Sequence, residues 1–321
     1  MAAVQWPFAP LAPAPLSSPE MRIWLRTLLG TAIGVFLGLL LPVLGGDVPA
    51  LFDSIGQVVI QIGRYALIPL VFFAAIHGTE ELRQYRLLTR AAGILVLVLL
   101  STMAVSVLFS LIAVAVASPD RIPIIVGDAP APELPSLGLQ LTDAIPTNLF
   151  EAVASGGDSL LPAYLLALVL GIALASQDTG SPVLIEIANA AMRLFSGIAR
   201  AIVAVLGIGL IAVTASTMFS VRLIPEYSLY RQMIRLLLVV GVLVSLLGAG
   251  TAVYFLSGRR NPLLWAYASV APLLVAASSG DLHFSYLTQM RMLEENLGVP
   301  RRISALGMPL LTIFGRAGTA A

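Results

Sequence analysis

The residues best equipped for chemistry lie near the C-terminal end of the chain. Arg316 stands in an apolar run, MPLLTIFGRAGT, that closes on Gly318 and Thr319. It lies more than a dozen residues beyond Arg302, or about 20 Å at 1.5 Å per helical residue. If that run crosses a membrane, an arginine at such depth costs roughly 2.5 to 3.5 kcal/mol on insertion scales, so it must face protein and find a partner. Snorkelling to the interface is hard from there. A fixed guanidinium beside the Thr319 hydroxyl is suited to holding an anion through charge-assisted hydrogen bonds. A second polar group, Ser278, Ser279, Asp281 and His283, interrupts another apolar stretch as SSGDLHFS. His283 has an ordinary pKa of about 6.5, which suits either a proton-coupling group or a plain hydrogen-bonding wall residue.

Composition says what must position these residues. Hydrophobic residues make up 58% of the 321, charged residues only 11%, and mean hydropathy is +0.95. That leaves too little polar surface to coat a soluble fold, so the apolar faces must meet lipid, and the chain reads as an all-α polytopic membrane protein. The net charge of +1 gives no support to nucleic-acid binding. All eighteen basic residues are arginine, which excludes a P-loop lysine, a lysine Schiff base and a lysine general base. With no cysteine there are no disulfides or thiolate metal sites, and two distant histidines do not make a zinc centre. Neither HExxH nor GxSxG nor a paired acid dyad occurs within the spans, so an enzyme is not expected.

Residues 1–20, rich in proline and alanine without a basic n-region, read as a disordered leader. Stretches near the roughly 20 apolar residues needed for a span run about 23–44, 51–76, 88–116, 160–175, 185–218 and 230–256. Pro69 should kink the second. A proline-rich polar linker occupies about 118–143. Residues 21–257 thus form an N-terminal helical portion, and 258–321 a final one. Alternating spans put Arg22, Arg26, Arg83, Arg86, Arg90, Arg259, Arg260, Arg301 and Arg302 on one side. Arg121, Arg222, Arg231 and Arg235 fall on the other, so the N-terminus is expected in the cytoplasm. Residues 261–290 are flanked by arginine pairs on the first side, which favours a re-entrant helical hairpin over a single crossing. Its polar tip, 278–285, would then sit at membrane depth, buried in protein or lining a cavity. Arg291, Glu294 and Glu295 read as a solvated helix start, His77 as an interfacial residue, and Arg64 as semi-buried.

These stretches, in this order, resemble the dicarboxylate/amino acid:cation symporters. IGQVVIQIGRYALIPLVFFAAIHG (55–78) is similar to that family's second helix, and Arg64 matches its basic residue, implying a structural pairing or headgroup contact. IPTNLFEAVASG (145–156) resembles its Pro-Thr-Asn signature, in which Asn148 breaks the fourth helix. NPLLWAYASVAPLLVAASSGDLHFSYLTQMRMLEENLGVPRRI resembles its first re-entrant hairpin and the start of its seventh helix.

The resemblance implies an inverted-repeat secondary transporter of a small anionic solute, an acidic amino acid or a dicarboxylate, working by alternating access in the inner membrane. It implies a homotrimer built on helices one, two, four and five, with the hairpins and remaining helices moving as a unit. It implies no cofactor beyond a coupling ion, Na+ or H+. The implied substrate residues are Ser278, Ser279, Asp281, His283, Arg316, Gly318 and Thr319, and the implied cation ligands Ser101, Thr102 and Gly315. GRAGT stands where the family has NMDGT, so Gly315 and Ala317 replace two cation-coordinating side chains and Arg316 a methionine. The family's three hairpin-tip serines fall on Asp281, Leu282 and His283, and the tyrosine beside its Thr-Ser pair falls on Val98. Because the family packs this tip against its seventh helix, Asp281 is the expected partner of Arg316. The family's second hairpin and eighth helix lie beyond residue 321, so the sequence reads as truncated. The alternative reading is a non-transporting homologue that only packs or oligomerises.

Overall fold

The computed structural model describes residues 20–45, 47–117, 160–176, 182–222, 227–244, 250, 254 and 262–314. The leader before Glu20, the polar linker, the Pro-Thr-Asn segment and residues 315–321 lie outside them.

Every element among the described residues is helical. In order they are α1 (Glu20–Leu44), α2 (Val48–Tyr65), α3 (Leu67–Gln84), α4 (Leu88–Ala117), α5 (Leu161–Ser176), α6 (Pro182–Arg222), α7 (Tyr227–Leu243), α8 (Pro262–Ser279), α9 (Leu282–Arg291) and α10 (Arg301–Phe314). A π-helical turn, Met292–Asn296, follows α9. Four stretches are long and apolar enough to cross a membrane: Trp24–Val43, Val48–Gln84, Leu88–Val116 and Pro182–Val221. The protein is an all-α polytopic membrane protein.

The second span is broken where Pro69 dictates. Proline cannot donate to the carbonyl four residues back, at Tyr65, and the helix interrupts at Ala66 between α2 and α3. Beyond the break α3 continues past the expected end at Ile76 to Gln84, carrying His77, Glu80 and Glu81 on the same rod. With 41 residues, α6 is about 60 Å long and exceeds the roughly 30 Å of hydrocarbon. Its first half carries Glu186, Asn189, Arg193 and Arg200.

Two parallel helices form the tightest seam. Gly30, Gly34 and Gly38 recur every fourth residue on one face of α1 and lie against α6. A Cβ on Gly30 would stand 2.0 Å from the Gly207 carbonyl oxygen, one on Gly34 2.7 Å from that of Ile211, and one on Gly38 2.8 Å from that of Ala215. In lipid, where no hydrophobic drive joins one apolar helix to another, this small-residue spacing lets backbones approach and van der Waals contact do the joining. A buried core follows along α3, where Leu67, Leu70, Val71, Ala74 and Ala75 meet residues of α5, α6, α9 and α10.

The stretch after residue 261 is a helical hairpin. Tyr267 on α8 meets Trp24 near the start of α1, ring centroids 5.6 Å apart. Arg302, at the start of α10, meets Glu81 at the end of α3. The start of α1 and the end of α3 share one end of the molecule, because α1 and the α2–α3 rod are antiparallel. Both arms therefore reach toward the same end, which carries Arg26, Arg83, Arg301 and Arg302. The tip lies instead beside Arg64, midway along the α2–α3 rod.

Candidate hairpin-tip site

The tip turn is made by Gly280, whose φ of +63° falls in the left-handed region that side chains other than glycine's rarely adopt. Asp281 follows in extended conformation and caps α9. Its Oδ1 accepts from the backbone N–H groups of His283 (2.8 Å) and Phe284 (3.4 Å). A carboxylate at a helix N-terminus also lies at the favourable pole of the helix dipole.

The other carboxylate oxygen faces α2. Arg64 donates from Nε to Asp281 Oδ2 at 2.7 Å, and its Nη2 lies 2.6 Å from the same oxygen. The side chains are 40% and 9% exposed respectively, so the aspartate is the more enclosed of the two. His283 Nδ1 lies 3.6 Å from Asp281 Oδ1. Next to this pair the Phe284 ring fills the notch of Gly63, where a Cβ would stand 2.3 Å from ring atom Cδ2.

The serines complete the docking. Ser278 Oγ donates to the Leu274 carbonyl and lies 3.4 Å from Thr31 Oγ1 on α1. Thr217 Oγ1, on α6, donates to the Ser278 carbonyl at 2.8 Å. Ser279 Oγ donates to the Val275 carbonyl and accepts from the Asp281 N–H. The tip is thus held by α1, α2 and α6 together, and the structure brings Ser278, Ser279, Asp281 and His283 into one site.

The other expected residues are placed differently. Ser101 and Thr102 are exposed on α4 and donate to the Val98 carbonyl of their own helix, with no described contact to the tip. Gly315, Arg316, Gly318 and Thr319 lie outside the described residues. Among the described residues Asp281 pairs with Arg64, and the expected pairing with Arg316 lies outside them.

A second polar cluster sits at the arginine-rich end. Glu81 is shared: Oε1 accepts from Arg302 Nη1 (3.2 Å), and Oε2 lies 3.4 Å from His77 Nε2. The Arg302 guanidinium also stands 4.8 Å over the Tyr85 ring. His77 Nδ1 bonds Asn189 Oδ1 of α6 at 2.6 Å. His77 is therefore a half-buried bridge between α3 and α6, a role the sequence reading missed because Asn189 is remote in the chain.

Nearby, a cavity of about 240 Å3 opens between α3, α6 and the second hairpin arm, lined in part by Arg200, Arg291, Arg301, Glu294 and Glu295. Arg291 pairs with Glu295 and Arg301 with Glu294. Glu294 is no solvated helix start. It sits in the π turn closing the hairpin, where burial raises its carboxyl pKa against the opposing pull of Arg301 and of the Ser304 hydroxyl.

No curated protein matches the sequence. A model of the sodium:dicarboxylate symporter family matches residues 23–321, nearly the whole chain and all of its described helices save the first turn of α1. A helical hairpin docked at mid-depth on a broken membrane helix is thus the setting of the candidate site, and the chain belongs to the sodium:dicarboxylate symporter family.

Proposed function

We propose that the protein is a secondary active transporter that carries a small anionic solute, an acidic amino acid or a dicarboxylate, across the inner membrane by alternating access. It works as a homotrimer with its N-terminus in the cytoplasm, and movement of the solute is coupled to Na+ or H+. The observation that carries this reading is the hairpin tip. Polar backbone and a carboxylate stand halfway along a membrane helix, a position that is tolerated only where protein or a solute pathway replaces water. Ser278, Ser279, Asp281 and His283 bind the solute, and Arg316, Gly318 and Thr319 are the further substrate-binding residues that the family resemblance implies. Arg64 holds Asp281 and so keeps its charge from repelling the anion.

The test is uptake of labelled aspartate, glutamate and succinate into proteoliposomes holding the protein expressed from its native reading frame. Each solute is offered under a sodium gradient, a proton gradient and neither. Uptake that depends on one gradient supports the reading. Protein that inserts and takes up nothing under any gradient would be a packing or oligomerising unit instead. Arg316→Met should weaken solute binding by about 1 to 3 kcal/mol, the range for hydrogen bonds to charged groups, as read by calorimetric titration with and without sodium.

A further inference from the structure

Arg64–Asp281 and Arg302–Glu81 each join segments more than two hundred residues apart, 217 and 221 positions in the chain. Both bridge the same two bodies, the α2–α3 rod on one side and the unit of hairpin and α10 on the other. Arg64 and Glu81 are seventeen positions apart on that rod, about 25 Å at helical rise.

Between the two ion pairs the contact is of another kind. Leu67, Leu70, Val71, Ala74 and Ala75 of α3 belong to the same buried core as Leu287 and Met290 of α9 and Ala305 and Met308 of α10. Apolar contact is non-directional and scales with area, so the middle of the strip chooses register weakly, whereas its ends add shape, with Phe284 on Gly63 and the Arg302 carbonyl on Gly78. An ion pair with a hydrogen-bonded guanidinium is directional, so it does choose. A slide by one helical turn, about 5.4 Å, would break both pairs at once while keeping much of the apolar area.

The acids at both ends have divided their oxygens. Asp281 gives Oδ1 to its own helix and Oδ2 to Arg64, whereas Glu81 offers Oε2 to His77 of its own helix and Oε1 to Arg302. Each acid therefore keeps a local partner when the remote one leaves.

We propose that Arg64–Asp281 and Arg302–Glu81 form a two-point clasp that fixes the register of the hairpin and α10 on the α2–α3 rod. Its release is a step of the transport cycle. The inference rests on the transport reading for its purpose, but the clasp itself is measurable without any solute. Arg64, Glu81 and Arg302 are on this account positioning residues, and Asp281 adds this role to its place in the proposed solute site.

The chain has no cysteine, so Ser278→Cys gives a single thiol, buried where the hairpin meets α1. Its labelling rate in proteoliposomes reports opening of that seam. Arg64→Gln and Asp281→Asn should each raise the rate about tenfold, as expected for losing a hydrogen-bonded charge. Asparagine keeps an oxygen for the helix cap, so the cap and the ion pair are separated. The two changes together should raise the rate no further than either alone, and Arg64→Lys should restore part of the protection. Adding Arg302→Gln should multiply the effect, because the two ends act independently.

Unchanged rates in Arg64→Gln and Asp281→Asn, or multiplying effects within the pair, would overturn the proposal. Amide hydrogen exchange supplies the second measurement. The α1–α6 amides should stay protected in every variant, and their exposure along with the tip would overturn the clasp by making the pair a prop of the whole fold. A chain that fails the uptake test but shows this labelling pattern would retain the clasp and lose the transport reading.

Discussion

The seam between α1 and α6 and the seam between the hairpin and the α2–α3 rod are both interfaces between membrane helices, yet only the second is pinned by ion pairs. The first consists of glycines pressed on carbonyls, with the Gly30 position leaving no room for a single carbon. Such packing has one geometry, because close-packed interiors do not deform continuously. The second is an apolar strip pinned at its ends by the Arg64–Asp281 and Arg302–Glu81 ion pairs, with a glycine beside each: Gly63 under the Phe284 ring and Gly78 against the Arg302 carbonyl. Those ion pairs can be broken, solvated and made again. On the proposed transport reading, the contrast separates a framework seam from a seam that changes register.

The largest effect should come from filling the rigid seam. Gly34→Leu forces a side chain against the Leu210 and Ile211 carbonyls and the Thr214 side chain. Overpacking of this kind costs typically about 1 to 3 kcal/mol, and here no flexible side chain can simply swing away. Thermal unfolding in detergent should show a markedly lower Tm. Gly93→Leu on α4, where a Cβ meets nothing within 4 Å, is the control that should unfold like the parent. Equal losses in both would erase the distinction of the glycine seam.

A smaller and more local effect is expected at the notch. Gly63→Ala places a methyl group on the Phe284 ring, which can tilt out of its socket. The tip should undock at a cost of about 1 to 2 kcal/mol, in the lower part of the overpacking range. Hydrogen exchange should quicken at residues 281–285 while α1 and α6 are unaffected. Faster exchange throughout would mean that the tip and the framework are one cooperative unit.

The smallest effect concerns Glu294, at the base of the hairpin. Burial raises its pKa above the ordinary 4.5, so the folded protein holds this proton more tightly than the unfolded chain. Below 4.5 both forms are protonated and the shift contributes nothing. As pH rises past 4.5 the unfolded chain ionises first, and stability falls until the folded pKa is passed. Glu294→Gln should flatten that fall in the Tm–pH profile above pH 4.5. A profile identical to that of the parent would place the carboxyl in solvent.

The sequence made the hairpin legible because arginine pairs flanked it and SSGD interrupted an apolar run. Pro69 likewise announced the break at Ala66. The partners across space were not legible. Arg64 and Asp281 both stood out as charges in apolar surroundings, but the direction of Arg64 depends on a break whose rotation no local pattern specifies. The resemblance offered Arg316 instead. The Ser101 and Thr102 hydroxyls donate to the preceding turn of their own helix, a local pattern that their residue types and helical setting allow. The four-residue spacing of Gly30, Gly34 and Gly38 was in plain view as a packing signal, although nothing in it told that Gly207 and Ala215 would face it.

The central claim is that the hairpin unit shifts along the rod while the glycine-packed framework stays fixed. Distances between paired spin labels test it most directly, since a chain without cysteine accepts them cleanly. One pair joins Leu273 on the hairpin to Ile208 on α6, and the other joins Val43 on α1 to Ile208; all three side chains are exposed. With and without sodium and succinate in proteoliposomes, the account predicts that the Leu273–Ile208 distribution moves between two populations, while the Val43–Ile208 distribution remains single and unmoved. A hairpin distance that never changes while gradient-driven uptake proceeds, or a framework distance that changes with it, would contradict the account.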